Sequence, residues 1–233
     1  MSAIPPGAVV ESREQVQILL EEGGLRGRTV RTLSYPALRI EAALLDDAQF
    51  EQVHLVDGSF GAADLGRTRF TRADLRRTRF ESAVLVDASF EDCDLTEAAL
   101  EHAHLERVSF LRGSLANLHA AGAHLVDVSV VEANLYGARL DGATLIRCRF
   151  SDPRPNTAVE LTRASLRGAV FIDCELGGAN LYRADLGGAL FIRCNLQSAS
   201  LTGAEATGAR LVGCNTLGAD LPDLLRAQRS EGP

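Results

Sequence analysis

The chain contains no lysine and no tryptophan, one methionine, and only 5% aromatic residues. No Gly-rich phosphate loop of the GxxxxGK[ST] kind exists, and there is no lysine to serve one. The 24 basic residues are therefore all arginine, and 31 acids outweigh them to a net charge of −7. That balance argues against a basic groove and against direct nucleic-acid binding. No apolar run approaches the roughly 20 residues needed to cross a bilayer, so no membrane partner is expected. The N-terminal stretch MSAIPPGAVVESREQ lacks the basic-then-apolar pattern of a secretory signal. Five cysteines, an odd number with irregular placement, make no disulfide framework and fit a reducing cytoplasm. What the chain does have is apolar material, 46% of 233 residues, enough for a core and too much for a disordered segment.

That apolar material is periodic. Every fifth residue from Leu25 to Phe150 is apolar or aromatic, 26 positions in all, where composition alone would give about 12. The series resumes at Leu161 and runs to Leu221, interrupted by Ala206 and Thr216, and all nine Phe lie on it. Two residues before each centre stands a small residue, as in Ala43, Ala63, Ala83, Ala103, Ala164 and Ala184, and all five Cys occupy this position. One large and one small inward residue in five fits neither the 3.6 period of a helix nor the plain alternation of a strand. It fits a short extended segment and a turn, repeated, so that the chain winds into a coil with five-residue faces.

The number of faces follows from residue type. Phe50, Phe70, Phe90, Phe110, Val130 and Phe150 recur at spacing 20, as do the all-Leu columns Leu45 to Leu145 and Leu55 to Leu135. Twenty residues per turn means four faces, each centre stacking on the one 20 residues away. The gap of 11 between Phe150 and Leu161 reads as two repeats plus one bulged residue. On that count Phe171 and Phe191 rejoin the Phe column, and Cys174, Cys194 and Cys214 fall in the column of Cys93.

The motif A-(D/N)-L-x-x is plain at Ala133-Asn134-Leu135, Ala179-Asn180-Leu181, Ala184-Asp185-Leu186 and Ala219-Asp220-Leu221. It resembles the pentapeptide-repeat family over residues 25–221. The resemblance implies an all-β fold, a right-handed quadrilateral parallel β-helix (a pentapeptide-repeat solenoid) of about ten coils with short helical caps. Residues 1–24 are expected to form an N-terminal helical cap, with a capping box at Ser12 and Gln15, an apolar face of Val16, Leu19 and Leu20, and a stop at Gly23-Gly24. Residues 25–221 form the β-helix, interrupted by a loop or bulge at 151–160. Residues 222–233 hold a short C-terminal helix, with Pro222 at its first position, and a tail.

Chemistry is sparse. Cys replaces Ala as a small buried residue, and His104 and His124, 20 apart, make an exposed stack without converging metal ligands. A filled convex rod has no cleft in which paired carboxylates could face each other, so no enzyme, cofactor or metal is expected. The surface is more informative. Residues 81–106 carry eight acids and no arginine. A partner-binding belt is therefore expected at Glu81, Glu91, Asp94, Glu101 and Glu106, with Arg154 and Pro155 added from the interrupting loop. Outward apolar residues Leu111, Val131, Ile172, Ile192 and Val212 follow the centres of the Phe face. Val170, Ile172, Leu190, Ile192 and Val212, with Leu224 and Leu225 from the terminal helix, are the expected contact surface of a homodimer.

The family includes quinolone-resistance-type proteins, rod-shaped DNA mimics that bind DNA gyrase or topoisomerase IV and protect it from poisons. The chain is similar to them in its four-sided rod, single interruption and acidic surface, and differs in its helical N-terminal extension and short C-terminal helix. The resemblance implies a type II topoisomerase, gyrase or topoisomerase IV, as partner. A net charge of −7 on a rod of about 48 Å, whose length in duplex DNA would carry roughly 28 charges, restricts any mimicry to the 81–106 belt. The alternative is a protein-interaction scaffold with no topoisomerase link.

Overall fold

The computed structural model describes residues 8–22, 24–151 and 159–226. The chain winds as a parallel β-solenoid of about ten turns. Val30, Phe50, Phe70, Phe90, Phe110, Val130 and Phe150 are consecutive partners on one face, numbered face 1 here. Faces 2, 3 and 4 follow in chain order, centred for example on Leu55, Phe60 and Leu65. Face 1 forms a parallel sheet as far as Ser151 and face 4 from Val84 to Val212, and single bridges join most of the other coils.

Each five-residue unit has a local reason. The centre and the small residue two before it are buried along almost the whole rod. The Asp or Asn before a centre accepts a hydrogen bond from the backbone N–H two residues on, as Asp64 does from Gly66, Asn134 from Tyr136 and Asn180 from Tyr182. That side-chain turn closes the corner and accounts for the D/N of the motif. The residue two after each centre takes a left-handed φ of 50–60° even where it is Asp, Arg or Glu, as at Asp47, Arg67, Asp87 and Arg107. Its N–H bonds to the next coil, Arg67 to Val86 and Asp87 to Glu106. The hydrogen bond and the stacked neighbours offset the cost of that conformation.

The interior is filled. Phe50, Phe70, Phe90 and Phe110 stack at 4.8–5.0 Å between ring centroids. Phe60 and Phe80 come from the opposite face and meet them edge-on at 5.9–6.2 Å. At two reduced centres the residue two before is large: Leu118 precedes Ala120 and Val128 precedes Val130. The exchange is incomplete, and a cavity of about 20 Å³ remains beside Ala120, Leu125 and Val130.

The interruption differs from the one-residue bulge read from spacing. Pairing partners are 20 residues apart up to Arg149, but Asn134 pairs with Glu160, Arg139 with Ser165, Thr144 with Val170 and Arg149 with Glu175, each 26 apart. The chain between Phe150 and Leu161 is therefore one repeat plus six extra residues, and every later residue sits one face earlier than the spacing implied. Phe171 and Phe191 do not rejoin the Phe column; they stack on each other at 4.6 Å below Leu145, in the Leu column of face 4. Cys174, Cys194 and Cys214 align with Cys148, not with Cys93. Spacing modulo five cannot distinguish six extra residues from one.

At the N-terminus a helix spans Arg13–Glu21, with Ser12 and Gln15 exchanging the hydrogen bonds of a capping box and Val16 and Leu19 buried. Before it, Val9–Val10 pairs with Thr29–Val30, so the first coil carries an extra strand. Gly24 has φ 104° and its N–H bonds to Leu19; Gly23 lies outside the described residues. The C-terminal helix is Asp223–Arg226. Its Leu225 is fully buried and closes the last coil, so it is not a surface for a second copy, whereas Leu224 is exposed.

Candidate interaction surface

The rod's chemistry is on its outside. Cys148, Cys174, Cys194 and Cys214 form a column of thiols donating to backbone carbonyls of the preceding coil, as Cys174 does to Leu145 at 3.4 Å. Burial pushes Cys93 up to about 11. Hydrogen bonding to Cys148 and burial push Cys174 up to about 12. Thiols raised in this way stay protonated and unreactive at neutral pH, whereas hydrogen bonding with Cys174 lowers Cys148. His104 and His124 pair in register, and His104 lies 3.8 Å from Glu106. No group of three or more His, Cys, Asp or Glu among the described residues is placed to hold a metal. A surface hollow of about 340 Å³ lined by Asp47, Gln49, Arg67, Arg69 and Asp87 runs along one corner, where Arg67 pairs with Asp47.

The acidic belt is rearranged by the coil. Its 26 residues exceed one turn, so the acids are spread over all four faces. They also have bases that the linear sequence hides. Arg107 binds Asp87 through two hydrogen bonds of 2.7 and 3.0 Å and also pairs with Glu106. Arg112 binds Asp92 and Glu91. Arg76 lies 3.9 Å from Asp94, and His119 lies 3.6 Å from Glu101. Of the five expected acids, only Glu81 lacks such a partner among the described residues. Charges are matched across coils at separation 20, so counting along the chain overstates the belt. Arg154 and Pro155 lie outside the described residues.

The same pairing makes a larger pattern that the sequence reading missed. The corner after face 4 carries, coil by coil, Asp47, Arg67, Asp87, Arg107, Asp127, Arg147, Asp173 and Arg193. Each Arg binds the Asp one coil before it in a bidentate pair, at 2.7 and 2.9 Å for Arg67–Asp47 and 2.7 and 2.7 Å for Arg193–Asp173. The Arg hydrogen bonds hold Asp47, Asp87, Asp127 and Asp173 below the usual carboxylate range. Reading charges at spacing 20 would have revealed the ladder.

Beside it runs the apolar surface. Val126, Ile146, Ile172, Ile192 and Val212 are partners on face 4, as are Thr144, Val170 and Leu190 one step away. They are partly exposed, Val212 to 43%. Leu111 and Val131 belong to face 1 instead, because the six extra residues shift everything after Ser151. The expected single stripe is two. The longer one is on face 4, and it takes up Val170, Ile172, Leu190, Ile192 and Val212.

Two family models match this architecture. The pentapeptide repeat region model matches residues 43–120, and the model of pentapeptide repeats in eight copies matches residues 114–152, 157–188 and 179–215. No curated protein matches. Among solved structures, the chain is similar to full-length QnrB1, a plasmid-mediated fluoroquinolone resistance protein. The identity is 21% over 84% of this chain and 96% of that one, with a TM-score of 0.51. A trypsin-treated form of QnrB1 gives 21% over 86% and 99%, with a TM-score of 0.56. HetL, involved in heterocyst differentiation regulation in the cyanobacterium Nostoc sp. strain PCC 7120, is 22% identical over 90% and 97%, with a TM-score of 0.45. The five-residue unit, the four-faced parallel solenoid and the matching models together make this chain a member of the pentapeptide-repeat family.

Proposed function

We propose that the chain is a non-enzymatic binding protein that works through the outer surface of a rigid rod and acts as a homodimer. The observation that carries this reading is the filled interior: stacked side chains occupy the solenoid and leave the surface as the place for specific contact. The partner class we propose is a type II topoisomerase, DNA gyrase or topoisomerase IV, whose protection from poisons would be the rod's role. Its support is the similarity to QnrB1 over 84–86% of this chain and 96–99% of that one. The test is gyrase supercoiling with a fluoroquinolone, with and without the protein. Restored supercoiling is expected. Unchanged inhibition together with no measurable gyrase binding refutes the topoisomerase reading.

A second reading, a protein-interaction scaffold with no topoisomerase link, is favoured by the paired charges. Glu91, Asp94, Glu101 and Glu106 each have a basic or imidazole neighbour, which weakens the negative surface that a DNA mimic needs. Reversing Glu81, Glu91, Glu101 and Glu106 to Arg separates the two. A mimic loses gyrase affinity and the salt dependence of its association rate, and a scaffold that binds through apolar contact keeps its affinity.

A further inference from the structure

We propose that face 4 is the homodimer interface, and that the Asp/Arg ladder on its corner sets the register of two antiparallel rods. This rests on the dimeric reading above and specifies its surface.

The argument is one of symmetry. A two-fold axis lying in the interface and perpendicular to the rods places each column of face 4 over the same column of the second copy, with the order of coils reversed. A ladder that alternates strictly in sign has only two kinds of register under that operation. With the axis on a coil, like meets like: Asp173 faces Asp173. With the axis midway between coils, every Asp faces an Arg. The apolar column chooses among the second kind. Placing the axis between the coils of Ile146 and Ile172 sets Ile146 against the second copy's Ile172, Val126 against Ile192, and Thr144 against Val170. The same placement sets Arg147 against Asp173 and Asp127 against Arg193, and leaves Glu106 at the rim opposite Val212. An axis one coil nearer the C-terminus keeps the charge match but overlaps fewer coils. One coil nearer the N-terminus presses Glu106 onto Ile172. Six of the apolar residues, Val126, Ile146, Val170, Ile172, Ile192 and Val212, are β-branched and stand on a parallel sheet, a surface suited to packing against another sheet about 10 Å away.

Area fixes the strength. The coils from Glu106 to Val212 span about 29 Å at ~4.8 Å per coil. A face of five residues is at most about 17 Å wide. That is roughly 500 Å² per copy and ~1,000 Å² in total, at the lower limit for a specific interface. The dimer is therefore weak and reversible, and the ladder supplies register more than affinity.

The test inverts the whole ladder, Asp to Arg and Arg to Asp at positions 47, 67, 87, 107, 127, 147, 173 and 193. Alternation within the chain is retained, and so is self-complementarity. Light scattering at tens of micromolar should show both wild type and inverted chain as reversible dimers. In the mixture every facing pair of the wild-type register becomes like-charged, so a heterodimer takes the register with the axis on a coil; with Ile172→Cys in both chains, native mass spectrometry after oxidation should show a 172–172 disulfide in the heterodimer and in neither homodimer. Ile172→Asp is the second variant, expected to be folded by circular dichroism and monomeric, and it decides the matter if the inverted chain does not fold. A monomeric wild type overturns both this surface and the dimeric reading. A wild-type dimer whose Ile172→Cys form cross-links to itself as readily as to the inverted chain, or an Ile172→Asp chain that stays dimeric, leaves the dimeric reading standing and overturns face 4.

Discussion

Phe90→Ala is the sharpest test of the column model. The ring is 2% exposed, stacked at 5.0 Å on Phe70 and at 5.0 Å on Phe110, and edge-on to Phe80 at 6.1 Å. Truncating a buried Phe costs about 3–5 kcal/mol, and a ring with three aromatic neighbours belongs at the upper end of that range. Relaxation is limited because the coils above and below are hydrogen-bonded in fixed register. With an unfolding entropy of about 2.1 cal/mol/K per residue, 233 residues give about 0.5 kcal/mol/K, so a loss of ~4 kcal/mol lowers Tm by roughly 8 °C. Phe171→Ala is the internal control. Among the described residues its ring has Phe191 as its only aromatic stacking partner, at 4.6 Å, so it should lose less. Thermal unfolding followed by circular dichroism measures both. A Tm shift under about 2 °C for Phe90→Ala, or a larger loss for Phe171→Ala, refutes the reasoning.

Deleting residues 152–157 joins Ser151 to Ala158 and restores a five-residue unit between Phe150 and Leu161. The chain should fold with Tm unchanged or higher, since loop closure costs little, whereas deleting one residue should lower it. Gly113→Ala places a Cβ 2.2 Å from the carbonyl oxygen of Cys93 and should cost at least the ~1–3 kcal/mol of overpacking. At Gly142 a Cβ meets nothing within 4 Å, so Gly142→Ala should cost only the ~1 kcal/mol of a left-handed backbone; equal losses at the two sites would refute the geometry. The ladder aspartates have lowered folded-state pKa values. Their contribution is present above the unfolded value near ~3.9 and is lost as pH falls through the lower folded values. Tm should therefore drop below about pH 4 in low salt, and by less in 0.5 M salt, where exposed pairs contribute less in the first place; a flat profile down to about pH 2.5 refutes it.

How much could be read in advance depended on the period each feature obeys. Centres and small residues recur every five, so the filled core and the four faces were legible from Leu25 to Phe150. Asp64 and Asn134 were legible as part of the motif, though their turn hydrogen bonds were not. The six-residue insertion was not legible, because six and one are the same number modulo five and the Phe at 171 and 191 suited the wrong column. Side chains on face 4 tolerate either Leu or Phe, so residue type could not correct the error. Gly113 continues the small series, but its φ of 158° and contact with Cys93 depend on the coil beneath, about which local sequence is silent.

Charge shows why the surface was harder to read than the core. A core column repeats one residue type, so its spacing announces itself. A charge column is stable when it alternates, because like charges ~4.8 Å apart on adjacent strands repel. The eight-charge ladder therefore repeats every 40 residues, or 46 across the insertion, and in the linear chain its members are scattered among clusters of one sign. The acids of 81–106 and the arginines of 67–79 look like separate bands for that reason. In the fold they are rungs of interleaved columns, with Arg77 on Asp57, Arg107 on Asp87 and Arg112 on Asp92. A rod built this way can carry many charges and still present little net field. Any recognition of it that is specific must then depend on register and on the apolar face beside the ladder, which is why the mixing of wild-type and inverted chains is a more searching experiment than removing any single acid.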